Sequence, residues 1–251
     1  MSSIIHLCAA LILVAASSLA QAAELKVLFI TGDDRAHSWK QQTEETKAIL
    51  AEVPGRFIAT VHEDYTIFDR PKDMAEYDAI LMTGSFWDSP GNAKQKVYTI
   101  TDEQIGNLVA YVKGGKGFYA QHLASASWRE NAAFSELCGR RWSKGSGHPA
   151  RKPFEAKIAD PTHLITSGLA NFTIDDECYS NFGKFREVDL LVTGLSASTR
   201  KDEPLLMASS YGSGRVVINN FGHDRKALQT PELRVLIRRA VEWTASGKVT
   251  P

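Results

Sequence analysis

Leu25-Lys26-Val27-Leu28-Phe29-Ile30-Thr31-Gly32 is the stretch on which the fold turns. A short run of apolar, β-branched and aromatic residues closed by glycine reads as a buried strand. Beyond a polar loop, Trp39 to Glu52 carries helical periodicity and stops at Pro54-Gly55. Phe57 to His62 alternates as a second strand, and Asp78 to Thr83, closed by Gly84, reads as a third. Thr101-Asp102-Glu103-Gln104 has the form of a capping box, opening a helix to Val112 that Gly114-Gly115 ends. Gly117 to Ala120 is a fourth strand. This alternation predicts βαβ units and a parallel sheet. The second half is less regular. Strands are expected at Phe154–Ala159, Glu203–Ser209 and, after the turn Tyr211-Gly212-Ser213-Gly214, at Gly214–Asn220, with a closing amphipathic helix over Pro231–Ala245. No repeat or linker divides residues 24–251, which read as one domain.

Residues 1–23 contain no Lys, Arg, Asp or Glu, and Ala20-Gln21-Ala22 fits the small-residue rule for signal peptidase. The expectation is a cleaved secretory signal and a periplasmic or secreted protein. The apolar run Leu7–Ala16 is short of the about 20 residues a membrane span needs, and no later segment is a candidate. Lys plus Arg equals Asp plus Glu at 29 each. That balance argues against a nucleic-acid partner, which calls for a basic surface. Cys138 and Cys178 could pair in an oxidising compartment or stand as two buried thiols; their spacing leaves both open.

In an open parallel sheet, ligands bind beyond the carboxyl ends of the strands. The strand ends here run into Asp33-Asp34-Arg35-Ala36-His37-Ser38-Trp39, Ser85-Phe86-Trp87-Asp88, Gln121-His122 and Phe221-Gly222-His223-Asp224. His37, His122 and His223 are thereby expected on one rim, where imidazoles can act as acid–base groups or metal ligands. Trp39 and Trp87 offer flat platforms for a sugar ring. His148, in the loop Gly145-Ser146-Gly147-His148-Pro149, can reach over the rim. Glu177, in Asp175-Asp176-Glu177-Cys178-Tyr179, is either solvated surface or an inward-facing base or ligand. Asp160-Pro161-Thr162-His163 reads as a turn, which makes His163 structural.

Taken in order, Thr31-Gly32, His37-Ser38-Trp39, Gly114-Gly115-Lys116-Gly117, His122, Gly147-His148, Asp160 to Leu169, Asp176 to Tyr179, Tyr211 to Val216 and Gly222-His223-Asp224 resemble the ThuA family, named for trehalose utilisation. That family lies within the class I glutamine amidotransferase-like superfamily. The resemblance implies a flavodoxin-like three-layer α/β sandwich with a mainly parallel central sheet. It also implies work on disaccharides or keto-sugars. Amidotransferase relatives carry a nucleophilic cysteine at the turn that here reads Gln121-His122, so thioester chemistry on glutamine is not expected. Asp33-Asp34-Arg35 and Gln121 depart from the family's habits, and Gln121 could donate to a ligand.

The expectation is thus an exported enzyme that hydrolyses a glycoside, or eliminates from a 3-keto-glycoside, on a small-molecule carbohydrate. His122, His37, His223 and Glu177 would be catalytic; Trp39, Trp87, Gln121, His148 and Asp224 would bind substrate. His37, His122 and His223 could instead hold a divalent metal such as zinc. The competing reading is a non-catalytic sugar-binding or accessory protein, whose three histidines would lie far apart.

Overall fold

A computed structural model describes residues 23–32, 34–89 and 96–250. The expected signal segment lies, through Ala22, outside the described residues. In chain order the elements are β1 (Leu25–Ile30), α1 (Trp39–Ala51), β2 (Phe57–His62), α2 (Pro71–Met74), β3 (Ala79–Met82), α3 (Asp102–Lys113), β4 (Gly117–Gln121), α4 (Ala132–Cys138) and β5 (Arg140–Arg141). They continue with β6 (Lys152–Ile158), β7 (Phe172–Asp176), β8 (Gly183–Lys184), β9 (Asp189–Leu195), β10 (Asp202–Tyr211), β11 (Gly214–Asn219), α5 (Arg225–Leu228) and α6 (Pro231–Ser246). The capping box forms as the sequence predicts: Gln104 N–H donates to Thr101 Oγ1 at 3.1 Å, and Thr101 N–H to Gln104 Oε1 at 3.0 Å.

Nine strands form one sheet in the order β2-β1-β3-β4-β11-β10-β9-β6-β7. The pairs from β2 through β11 are parallel; those from β11 through β7 are antiparallel. The sheet is therefore mixed, a correction to the mainly parallel expectation. A short connection explains where the antiparallel half begins. Parallel neighbours need a crossover of a dozen residues or more, but β10 and β11 are joined by Gly212-Ser213 alone, with Gly212 at φ +62°. β7 and β9 go beyond the sequence expectation: β7 offers no continuous apolar run, and the run in β9, Leu190 to Val192, is only three residues long.

Alternate residues of the parallel strands enter two cores. Val27, Phe29, Leu81 and Val217 pack with Ile49 and Leu50 of α1 and with Leu233, Leu236 and Ile237 of α6. Leu28, Ile30, Ile80, Met82 and Ile218 pack with Ile105 and Leu108 of α3 and with Phe134 and Leu137 of α4. Strands buried on both faces read as continuous apolar runs, which is why Leu25 to Ile30 looked so plain.

Cys138 belongs to the second core and Cys178 to the first, so the sheet separates them and both are free. Burial pushes each thiol up to about 12. Neither should react with an aromatic disulfide reagent before unfolding, as checked by peptide mapping. Rapid labelling of either in native buffer would contradict this burial.

The chain order reverses between β1 and β3, and the strand exits open a crevice there. Backbones approach closely at this point. A Cβ on Gly84 would sit 2.6 Å from the N and O atoms of Gly32, which is itself at φ +123°.

Candidate active site

Four strand exits build the site, and the loop that carries His148 reaches over it. His37 follows β1, His122 follows β4 and His223 follows β11. Four successive antiparallel steps point β7 the same way as β11, so its exit reaches the same rim and carries Glu177. The Asp176 carboxylate joins the two ends, accepting from Gly222 N–H at 2.7 Å and His223 N–H at 3.2 Å.

His37 Nε2 lies 3.2 Å from His122 Nε2 and 3.1 Å from His223 Nδ1. Glu177 Oε2 lies 3.5 Å from His122 Nε2 and 3.2 Å from His223 Nδ1. These four atoms fall within 4.8 Å of one another. The expected convergence of the three histidines is thus what the structure places there, with Glu177 inward rather than solvated.

The partners of the outer ring nitrogens fix how the imidazoles present themselves. His122 Nδ1 donates to the Asn220 carbonyl at 2.9 Å, leaving Nε2 with its lone pair. His37 Nδ1 faces both Asp34 carboxylate oxygens at 3.1 Å, which likewise turns its Nε2 lone pair inward. The two Nε2 lone pairs therefore face one another across 3.2 Å. The Tyr179 hydroxyl is 2.6 Å from His122 Nε2, and its ring stacks on the imidazole at 4.4 Å between centroids. His122 sits at φ +51°, a backbone state that side chains avoid.

Burial drives the His122 imidazole below its ordinary value, reinforced by His37 and opposed by Glu177. Burial would raise the Glu177 carboxyl, but the adjacent His122 and His223 imidazoles outweigh it and hold the group well below the carboxylate range. The same bond with Glu177 raises His223. Burial raises Asp176 and lifts Tyr179 well above a free phenol.

A cleft of about 190 Å³ opens onto this cluster, lined by Trp87, Leu123, Trp142, His148 and Tyr179 beside His37, Glu177 and His223. His148 Nδ1 lies 3.4 Å from Glu177 Oε1. Three expected ligand-binding residues are elsewhere. Trp39, in the first turn of α1, has its ring under the Lys40 ammonium and does not line the cleft. Gln121 points beneath the rim, where its amide bonds Thr46 Oγ1 at 3.0 Å, because β4 alternation turns it away from His122. Asp224 caps α5 by accepting from Ala227 N–H at 2.9 Å and pairs with Arg151. Asp34, Trp142 and Tyr179 were not singled out. The i,i+3 spacing of Asp34 and His37 was a signal for the first. His163 is structural as expected, packed on Trp243 at 4.9 Å with Nδ1 accepting from Ile165 N–H.

Among the described residues, no helix is long and apolar enough to cross a membrane. The structure is similar to a ThuA-like protein from Parabacteroides merdae, with a TM-score of 0.76, 22% identity, and 91% and 92% of the two chains covered. A ThuA-like protein from Bacteroides uniformis gives 0.69 at 16% identity, covering 91% and 96%. A β-galactosidase from Bacillus circulans sp. alkalophilus gives 0.56 at 10% identity, with 84% of this chain covered but 30% of the enzyme. Identities this low establish shared fold alone. No curated protein matches. The family model for trehalose utilisation matches residues 26–244, and the chain belongs to the ThuA family.

Proposed function

We propose that this is an exported carbohydrate-processing enzyme that breaks a glycosidic bond, by hydrolysis of a glycoside or elimination from a 3-keto-glycoside, at the His37–His122–His223–Glu177 cluster. The observation that carries the reading is the convergence of three imidazoles and a carboxylate, at 3.1–3.5 Å, beneath a cleft that His37, His223 and Glu177 line. Family membership supports a role in sugar utilisation. The small-residue sequence at Ala20-Gln21-Ala22 supports export. The two separate cores support a flavodoxin-like three-layer arrangement. A non-catalytic sugar-binding role would not call for histidines packed this closely.

The donor set fits a divalent transition metal such as zinc. Zinc–ligand bonds of about 2.0–2.1 Å place tetrahedral ligands about 3.3–3.4 Å apart. His37, His122 and His223 would hold the ion, with Glu177 Oε2 beside them. Such an ion polarises a carbonyl or acidifies a water. The chain's own groups do the rest. Asp34 and Asn220 keep the imidazoles turned inward. Trp87 and Trp142 wall a space suited to one sugar ring. Glu177 is placed to take a proton from a water or from the carbon beside a ring ketone, and exposed His148 to pass it to solvent. For elimination, the C–H proton passes to Glu177, the glycosidic C–O bond breaks, and the departing oxygen takes up a proton from solvent water.

Elemental analysis of protein purified without a metal-binding tag, run beside turnover of glycoside and 3-keto-glycoside panels, tests both parts. A stoichiometric transition metal and turnover of one panel are expected. Turnover of neither panel by metal-replete protein would sink the enzymatic reading; turnover by protein free of metal would sink the ion.

A further inference from the structure

The buried stripe of α1 is Gln42, Thr43, Thr46, Ile49 and Leu50, the i, i+1, i+4, i+7, i+8 pattern of a helix face turned inward. Such a stripe is ordinarily apolar. Here its second half is apolar and enters the core, while its first half is polar and lies beneath the site. Each of those three polar residues bonds to strand exits. Thr43 Oγ1 lies between Thr31 Oγ1 at 2.7 Å and Thr83 Oγ1 at 2.9 Å, bridging the ends of β1 and β3 where the chain order reverses. Thr46 Oγ1 accepts from Gln121 Nε2 at 3.0 Å, at the end of β4 one residue before His122. Gln42 Nε2 donates to the carbonyls of Gly222 at 2.9 Å and His223 at 2.7 Å, beyond β11.

The Gly222–His223 segment is thereby held from two sides. Asp176 takes its N–H groups and Gln42 takes its C=O groups. All the side chains in this network are buried. Burying so many polar groups is unfavourable unless each is paired, and an apolar face would have held the helix to the sheet at lower cost. What the polar face adds is direction: hydrogen bonds fix angles and separations to a degree that apolar contact does not.

We infer that Gln42, Thr43 and Thr46 are positioning residues, and that the polar half of α1 sets the spacing of the four strand exits that place His122 and His223. The role rests on reading the cluster as a working centre, but the spacing is measurable without any ion. The decisive comparison is Gln42→Met, which keeps the volume and removes both donors, against Ile49→Val, which loosens the same helix through its apolar half.

In metal-free protein, amide exchange at Gly222 and His223 should accelerate at least about tenfold in Gln42→Met, while Val216 to Ile218 of β11 stay as in the wild type. Zinc affinity, read by competition with a chromophoric chelator, should fall about 10- to 100-fold, the usual effect of losing a group that orients a ligand. Ile49→Val should leave both unchanged despite its own loss of Tm. Should Gln42→Met fail to fold, Thr43→Val with Thr43→Ser as its rescue reads the same device through the Thr31 and Thr83 amides. Unaltered exchange in both variants, or an equal acceleration in Ile49→Val, overturns the inference whatever the zinc result. Accelerated exchange in a protein whose wild type binds no zinc upholds the positioning role and removes only the ion.

Discussion

His122→Ala is expected to lower zinc affinity by about 100-fold or more and turnover by about 10²- to 10⁴-fold. Sites with four protein ligands bind zinc by about 10–16 kcal/mol, so one ligand accounts for about 3 kcal/mol. His122 also has the most constrained place in the cluster. Its Nε2 faces His37, Glu177 and Tyr179 together, and its Nδ1 is tied to Asn220. Alanine would leave Glu177 and Tyr179 buried against a void. The Asn220 carbonyl would lose its donor, so some fall in Tm is expected as well. His163→Ala is the control: that ring packs on Trp243 away from the cleft, and its removal should change Tm without changing zinc affinity. Titration calorimetry on both variants decides. A His122→Ala protein that binds zinc as tightly as the parent would remove His122 from the ligand set.

Trp128→Ala is expected to destabilise the fold by about 3–5 kcal/mol, a fall in Tm of about 6–20 °C for a chain of this size. Trp128 is fully buried in the second core. It stacks on Phe86 at 5.5 Å and meets Tyr65 at 5.1 Å and Phe134 at 5.1 Å edge to face. The cavity left by the indole would be lined by rings too rigid to close it. The backbone N–H of residue 128 donates to the Phe86 carbonyl at 2.8 Å, a bond that alanine keeps, so the loss comes from packing alone. Trp128→Phe should recover roughly half of the Tm. Thermal unfolding measures it, and a fall below about 3 °C would mean the cluster repacks freely.

The plain apolar strands and the capped helices were legible because their signals are local. Val27 to Ile30 is apolar because both faces of β1 are covered there, and Thr101 and Gln104 cap α3 through contacts three residues apart. β7 was not legible. Its apolar residues, Phe172 and Ile174, alternate with Thr173 and Asp175 at an edge of the sheet, a pattern too short to stand out. The same contrast holds at the site. His37, His122 and His223 could be placed on one rim because each follows a recognisable strand. Trp142 and Tyr179 could not, since loops carry them to the cleft through contacts made only in the folded chain. Trp39 looked as eligible as Trp87, and only side-chain direction separated them.

The sequence by itself determined that β1, β3, β4 and β11 are strands and that their exits carry the histidines, because strand periodicity and glycine punctuation act over a few residues. The tertiary structure alone decided that the sheet is mixed, that Glu177 turns inward, and that the polar half of α1 lies under the site. Those outcomes depend on pairings between residues far apart in the chain, such as Asp176 with Gly222 and Gln42 with His223. No local pattern encodes such a pairing, because its partners become neighbours only after the sheet has closed around them.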